Sequence, residues 1–245
     1  MKVLMVLFIL ISMSTVKAQM PDGRDILNKI DENMSSESRV FTSKMIIHGR
    51  RGSRTIESKS WAVGDTKSFT EYLAPPREKD TKMLKLKDQL WMYSPSTDRT
   101  IQISGHMLRQ SVMGSDLSYE DMMDDKKLQD HYNAVVVGVD TFNNRNCWKI
   151  ELTANTKDIA YEMRKLWVDK EKYIPLQQEL FAKSGKLLKR MVLSDVVEID
   201  NRWYPKHILF KDMLKEGKGT EFVVEDIQFD VDIPENRFSK AVLRR

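Results

Sequence analysis

The chain has 245 residues, 41% of them hydrophobic, a formal charge of +4 and a single cysteine, Cys147. One cysteine excludes an intramolecular disulfide, so stability has to come from a packed core. The near balance of 40 basic and 36 acidic residues leaves no basic tract of the kind that marks a nucleic-acid footprint.

Met1-Lys2 forms a short positive start, Val3 to Ile11 is an unbroken apolar run, and Val16-Lys17-Ala18 places small residues three positions and one position before Gln19. This pattern predicts a signal peptide over residues 1–18, cut after Ala18, with residues 19–245 as one domain. The apolar run is about half of the roughly 20 residues that a spanning helix needs, so a membrane anchor is not expected. No cysteine stands at the cut to take a lipid. Removal of Lys2 and Lys17, with no acid lost, leaves the exported chain nearly neutral.

Next along the chain, Ile26, Leu27, Ile30 and Met34 recur at helical spacing behind Asp22, which predicts one amphipathic helix with Asp22 as its N-cap. From Phe41 onward, short runs rich in Val, Ile, Thr and aromatic residues alternate with turn signals. These include Gly64-Asp65, Ser94-Pro95-Ser96-Thr97-Asp98, Asn143-Asn144, Ser184-Gly185 and Asp200-Asn201. Gly and Asn tolerate positive φ, so each break suits a tight reversal. A succession of hairpins without recurrent long helices predicts an antiparallel meander, either closed into a barrel or strongly curved.

Residues 105–132 interrupt the strands. They read as helix and loop, with Ser118-Tyr119-Glu120-Asp121 as a capping box in which Asp replaces the usual Glu. Met107, Leu108, Val112, Met113, Leu117, Met122 and Met123 make the segment apolar. Methionine adapts to variable partners, so the segment suits either a helix packed on the sheet or a lid over a cavity.

If Pro95 to Asp98 is a loop, Tyr93 opposes Thr100, Met92 opposes Ile101 and Leu90 opposes Ile103. Leu84, Leu86, Leu90, Met92, Ile101 and Ile103 then form one apolar face, and Trp91, Tyr93, Thr100 and Gln102 the other. Trp148, Ile150 and Leu152 join the inner face, as do Leu166 with Val168 and Phe222 with Val224.

Reactive constellations are missing from the sequence. His48, His106, His131 and His207 lack paired metal-ligand spacing, and Glu120, Asp121, Asp124 and Asp125 read as a solvated helix face, not a calcium loop. There is no nucleophile elbow, phosphate loop or dinucleotide fingerprint. Cys147 beside Trp148 reads as a buried small hydrophobe. No catalytic residue, metal or cofactor is expected.

Several long segments carry a family likeness. Tyr72-Leu73-Ala74-Pro75-Pro76-Arg77-Glu78, Leu90-Trp91-Met92-Tyr93-Ser94-Pro95-Ser96-Thr97-Asp98-Arg99, Ser104-Gly105-His106-Met107-Leu108-Arg109-Gln110-Ser111 and Leu166-Trp167-Val168-Asp169-Lys170 resemble the outer membrane lipoprotein-sorting proteins of the LolA-like superfamily. The resemblance implies a mainly β fold with a few helices, an unclosed antiparallel half-barrel under a helical lid. It places Leu84, Leu86, Leu90, Met92, Ile101, Ile103, Trp148 and Ile150 in a lipid-binding cavity, and Met107, Leu108, Met113, Leu117 and Met122 in the lid. In the best-known carriers an arginine follows the strand matching Ser60-Trp61-Ala62-Val63 and latches the lid. Gly64-Asp65 stands there in this chain, so that latch is not carried over.

The resemblance further implies a monomeric, non-enzymatic periplasmic carrier of lipid or of lipoprotein acyl chains. Its partners would be the outer membrane pathway or an inner-membrane exporter of the resistance-nodulation-division type. The alternative is an accessory protein that docks such an exporter through its outer surface and carries nothing.

Overall fold

A computed structural model describes residues 20–50, 52–124, 126–157 and 159–244. The predicted signal peptide, its cleavage site before Gln19, and Asp125 lie outside them. The chain opens with helix α1 (Gly23–Met34), followed by β1 (Ser38–Gly49), β2 (Gly52–Val63), β3 (Lys67–Ala74), β4 (Lys82–Leu86), β5 (Gln89–Ser94) and β6 (Arg99–Ile103). Short 3-10 turns then lead to α2 (Tyr119–Met123) and α3 (Leu128–His131). The second run is β7 (Tyr132–Phe142), β8 (Arg145–Ala154), β9 (Met163–Asp169), β10 (Pro175–Phe181), β11 (Leu187–Ile199), β12 (Arg202–Asp212) and β13 (Thr220–Phe229).

Thirteen strands join in one antiparallel sheet, ordered β6-β5-β4-β3-β2-β1-β13-β12-β11-β10-β9-β8-β7. Among the described residues no ladder joins β6 to β7, so the sheet is an unclosed half-barrel. This order fixes the course of the described residues between β6 and β7. Because β6 and β7 are consecutive in the chain and lie at opposite edges, the segment between them has to cross a whole face of the sheet.

α1 covers part of the same face. Asp22 caps it by accepting from the Arg24 N–H at 2.9 Å. Its buried Ile26, Leu27 and Ile30 pack on Ile150, Leu152, Leu166 and Val168. A Cβ on Gly23 would lie 2.6 Å from the Ala134 carbonyl oxygen, so this close seating of α1 on β7 requires glycine there.

The β5–β6 hairpin has the register that its loop predicts, with Leu90 opposite Ile103, Met92 opposite Ile101 and Tyr93 opposite Thr100. The β4–β5 hairpin departs from expectation. Its turn is Lys87-Asp88, with Lys87 at φ 53°, and it pairs Leu86 with Gln89, Leu84 with Trp91 and Met83 with Met92. Even positions of β4 thus face odd positions of β5, and Leu84 and Leu86 belong to the outer face with Trp91. There Phe69, Leu84 and Trp91 are buried under Phe238 and Leu243 of the C-terminal 3-10 turns. Met83 takes the inner place expected of Leu84. Farther along, the outer face is a solvated row of cross-strand ion pairs, Lys165–Glu151 at 2.9 Å and Arg190–Glu179 at 2.7 Å.

Candidate functional site

Between α1 and the crossover segment the inner face encloses a cavity of about 340 Å³. Strands from both halves of the sheet supply an apolar wall, including Met45, Met83, Leu90, Met191, Phe210 and Phe222, and the crossover segment adds Leu117 and Met122. Part of the lining is polar. Ser60 and Thr70 share a hydrogen bond of 2.9 Å between β2 and β3, and Ser58 bonds Ser43 at 3.0 Å.

The expected cavity residues divide. Leu90 lines the cavity, as do Leu117 and Met122 of the expected lid. Ile103 and Met92 lie in the adjoining cluster on which Met107, Leu108 and Met113 rest half-buried. Leu84 and Leu86 are on the other face, for the reason given by their turn. Ile101 has the predicted parity, but on edge strand β6 it has a neighbour on one side only and stays 40% exposed. Trp148 and Ile150 are inner-face residues that α1 covers, so they pack against a helix and are not part of this cavity's lining.

Polar contacts hold the crossover segment in place. The capping box forms as predicted, Asp121 N–H donating to Ser118 Oγ and Ser118 N–H to Asp121 Oδ2. The side chain of the same Asp121 is largely covered and pairs with Lys189 of β11, which also donates to the Asp116 carbonyl at 3.0 Å, and with the Tyr161 hydroxyl. Asp124 receives Arg164 of β9 at 2.5 Å, and that guanidinium also donates to the Tyr132 hydroxyl at 2.9 Å. Burial and then the Asp121 carboxylate push the Tyr161 hydroxyl well above the usual tyrosine range. At the Arg164 guanidinium, burial disfavours the charge, and Asp124 with Tyr132 more than offsets it.

Asp121 is therefore withdrawn from the solvated face that the sequence pattern suggests, whereas Asp124 stays exposed while it pairs with Arg164. They are the segment's attachment to the sheet. The signal was present at the other partners, because Arg164 shares inward parity with Leu166 and Val168, and Lys189 shares it with Met191 and Leu193.

Further anchors come from Lys85, which donates to the Met123 carbonyl at 2.7 Å, from Arg54 to the Met113 carbonyl, and from Asp116, which bonds Thr220 Oγ1 at 2.9 Å. Asp31 of α1 caps α3 by accepting from Leu128 and Gln129 N–H at 3.1 and 3.0 Å. Burial raises its carboxyl pKa, and these backbone donors partly offset the rise. The segment is thus latched by side chains from several strands, while Gly64-Asp65 lies in the β2–β3 turn, where the Gly64 N–H donates to the Glu37 carbonyl at 2.8 Å.

A family model described as "Uncharacterized protein" matches residues 64–245. The chain belongs to that family. No curated protein matches it. Among solved structures, a domain from Vibrio parahaemolyticus provisionally named an outer membrane lipoprotein-sorting protein shares 24% identity at a TM-score of 0.80, over 91% of this chain and 98% of that one. A DUF1329 family protein from Desulfovibrio piger shares 23% at 0.82, over 90% and 97%. A LolA superfamily protein from Nitrosomonas europaea shares 21% at 0.76, over 91% and 100%. The family member described here therefore has the LolA-superfamily fold.

Proposed function

We propose that this chain is a periplasmic carrier, exported by cleavage after Ala18, which takes lipid or lipoprotein acyl chains into its half-barrel without a covalent step. The carrying observation is the mainly apolar cavity roofed by a methionine-bearing segment, whose polar attachments Asp121, Asp124, Arg164 and Lys189 border the same cavity. Each methylene moved from water into such a site contributes about 0.8 kcal/mol, so ten of them contribute on the order of 8 kcal/mol before ordering costs. The fold shared with lipoprotein-sorting proteins supports the same reading. Cargo exchange with the outer membrane pathway or with an exporter of the resistance-nodulation-division type belongs to the proposal, as does action as a monomer.

Native mass spectrometry of protein taken from its host, followed by lipid extraction, tests it. A co-purifying lipid is expected, and adding it should slow amide exchange over residues 107–123 more than in β5 or β9. A clean apo mass together with unchanged exchange would favour the accessory that docks an exporter and carries nothing.

A further inference from the structure

We infer that the β12–β13 hairpin tip is a docking surface for an anionic lipid bilayer. Met213 and Leu214 stand out from this turn, 38% and 58% exposed, where a hairpin needing only to reverse could use polar residues throughout. Two neighbouring tips lie at the same end of the sheet. The Met213 N–H donates to the Leu188 carbonyl at the start of β11, and the His48 N–H reaches the Gly219 carbonyl at the end of β1. Across the β1–β2, β10–β11 and β12–β13 tips the described basic residues are Arg50, Lys183, Lys186, Lys211, Lys215 and Lys218, against only Asp212 and Glu216. One pair cancels: Asp212 accepts from the Leu214 N–H at 2.9 Å and lies 3.6 Å from Lys215, which leaves Arg50, Lys183, Lys186, Lys211 and Lys218 against Glu216.

An apolar pair ringed by lysines matches a bilayer whose headgroups are negative. The lysines lie at phosphate depth and Met213 with Leu214 enters the acyl boundary. An acidic protein would be met by the lysines but would leave the apolar pair in water. Position adds a consequence. Lys215 donates to the Ser115 carbonyl at 2.8 Å, and the Asp212 N–H donates to Asp116 Oδ1 at 2.9 Å. The hairpin that touches the bilayer therefore also holds the crossover segment, and docking brings that segment to the membrane. The docking surface stands whether or not the cavity holds lipid.

Co-sedimentation of the purified protein with phosphatidylethanolamine–phosphatidylglycerol vesicles and with pure phosphatidylcholine vesicles tests the inference. Binding is expected to the anionic vesicles alone and to weaken with salt. Lys183→Gln and Lys186→Gln should each lower partitioning about five-fold. Leu214→Ser with Met213→Ser should lower it at least about ten-fold, with the thermal melt unchanged because both side chains are exposed. Binding that ignores lipid charge, binding that survives loss of the apolar pair, or no vesicle binding would each overturn it.

Discussion

Lys189→Met is expected to destabilise the protein by about 3 to 5 kcal/mol, the range for removing one partner of a buried ion pair. The Lys189 and Asp121 side chains are only 10% and 8% exposed, so the remaining carboxylate is left with little more than the water of the cavity it borders. Tyr161 and Ser118 still donate to it, and those neutral donors do not replace a charge. For a chain of this length the loss corresponds to a melting shift of roughly 6 to 20 °C. Asp121→Asn in the same background should recover part of it, because it removes the stranded charge and keeps a side chain able to cap Ser118. A double-mutant cycle over melting curves reads the coupling directly. A single-variant loss near the ~0 to 1 kcal/mol of exposed pairs would place Asp121 in solvent and remove the latch.

The contrast between the two hairpins of the first half shows which information was local. Ser94-Pro95-Ser96-Thr97-Asp98 announces its loop, and the register from Leu90–Ile103 to Tyr93–Thr100 follows from it. Lys87-Asp88 contains neither glycine nor asparagine, so nothing local marks a two-residue turn. Missing it shifts the pairing by one residue and moves Leu84 and Leu86 to the wrong face. The site shows the same division. An apolar segment between β6 and β7 is visible in the sequence, but its course across the sheet follows from two consecutive strands lying at opposite edges. The pairs that fasten it join residues 40 and 68 positions apart, Arg164 with Asp124 and Lys189 with Asp121, beyond the reach of any local pattern. Nor could periodicity separate Ile150 from Leu90. Both point inward, and only the seating of α1 decides which of them meets a cavity.

A lysine should therefore have opposite consequences at Leu84 and Leu90, two leucines of the same face in a simple alternation reading. Leu84 is fully buried among Phe69, Trp91, Phe238 and Leu243. An unpaired ammonium there has no partner and no water, and its several-kcal/mol penalty approaches the ~5 to 15 kcal/mol that holds a domain together. Leu84→Lys should fail to accumulate as folded protein. Leu90 is just as hidden from bulk solvent, but its side chain lines the cavity. A lysine there can extend its stem along the apolar wall and keep its ammonium in whatever water the empty cleft admits. Leu90→Lys should fold with a loss of about 1 to 2 kcal/mol, the ordinary range for a single substitution, and should no longer retain lipid. Far-ultraviolet circular dichroism, a thermal melt and lipid extraction on both variants decide the matter. Folded Leu84→Lys would mean that the outer face is not sealed by the C-terminal turns. Folded Leu90→Lys that still carries lipid would place the cargo outside this cavity, and unfolded Leu90→Lys would mean that the cleft is dry and closed, as an accessory without cargo would have it.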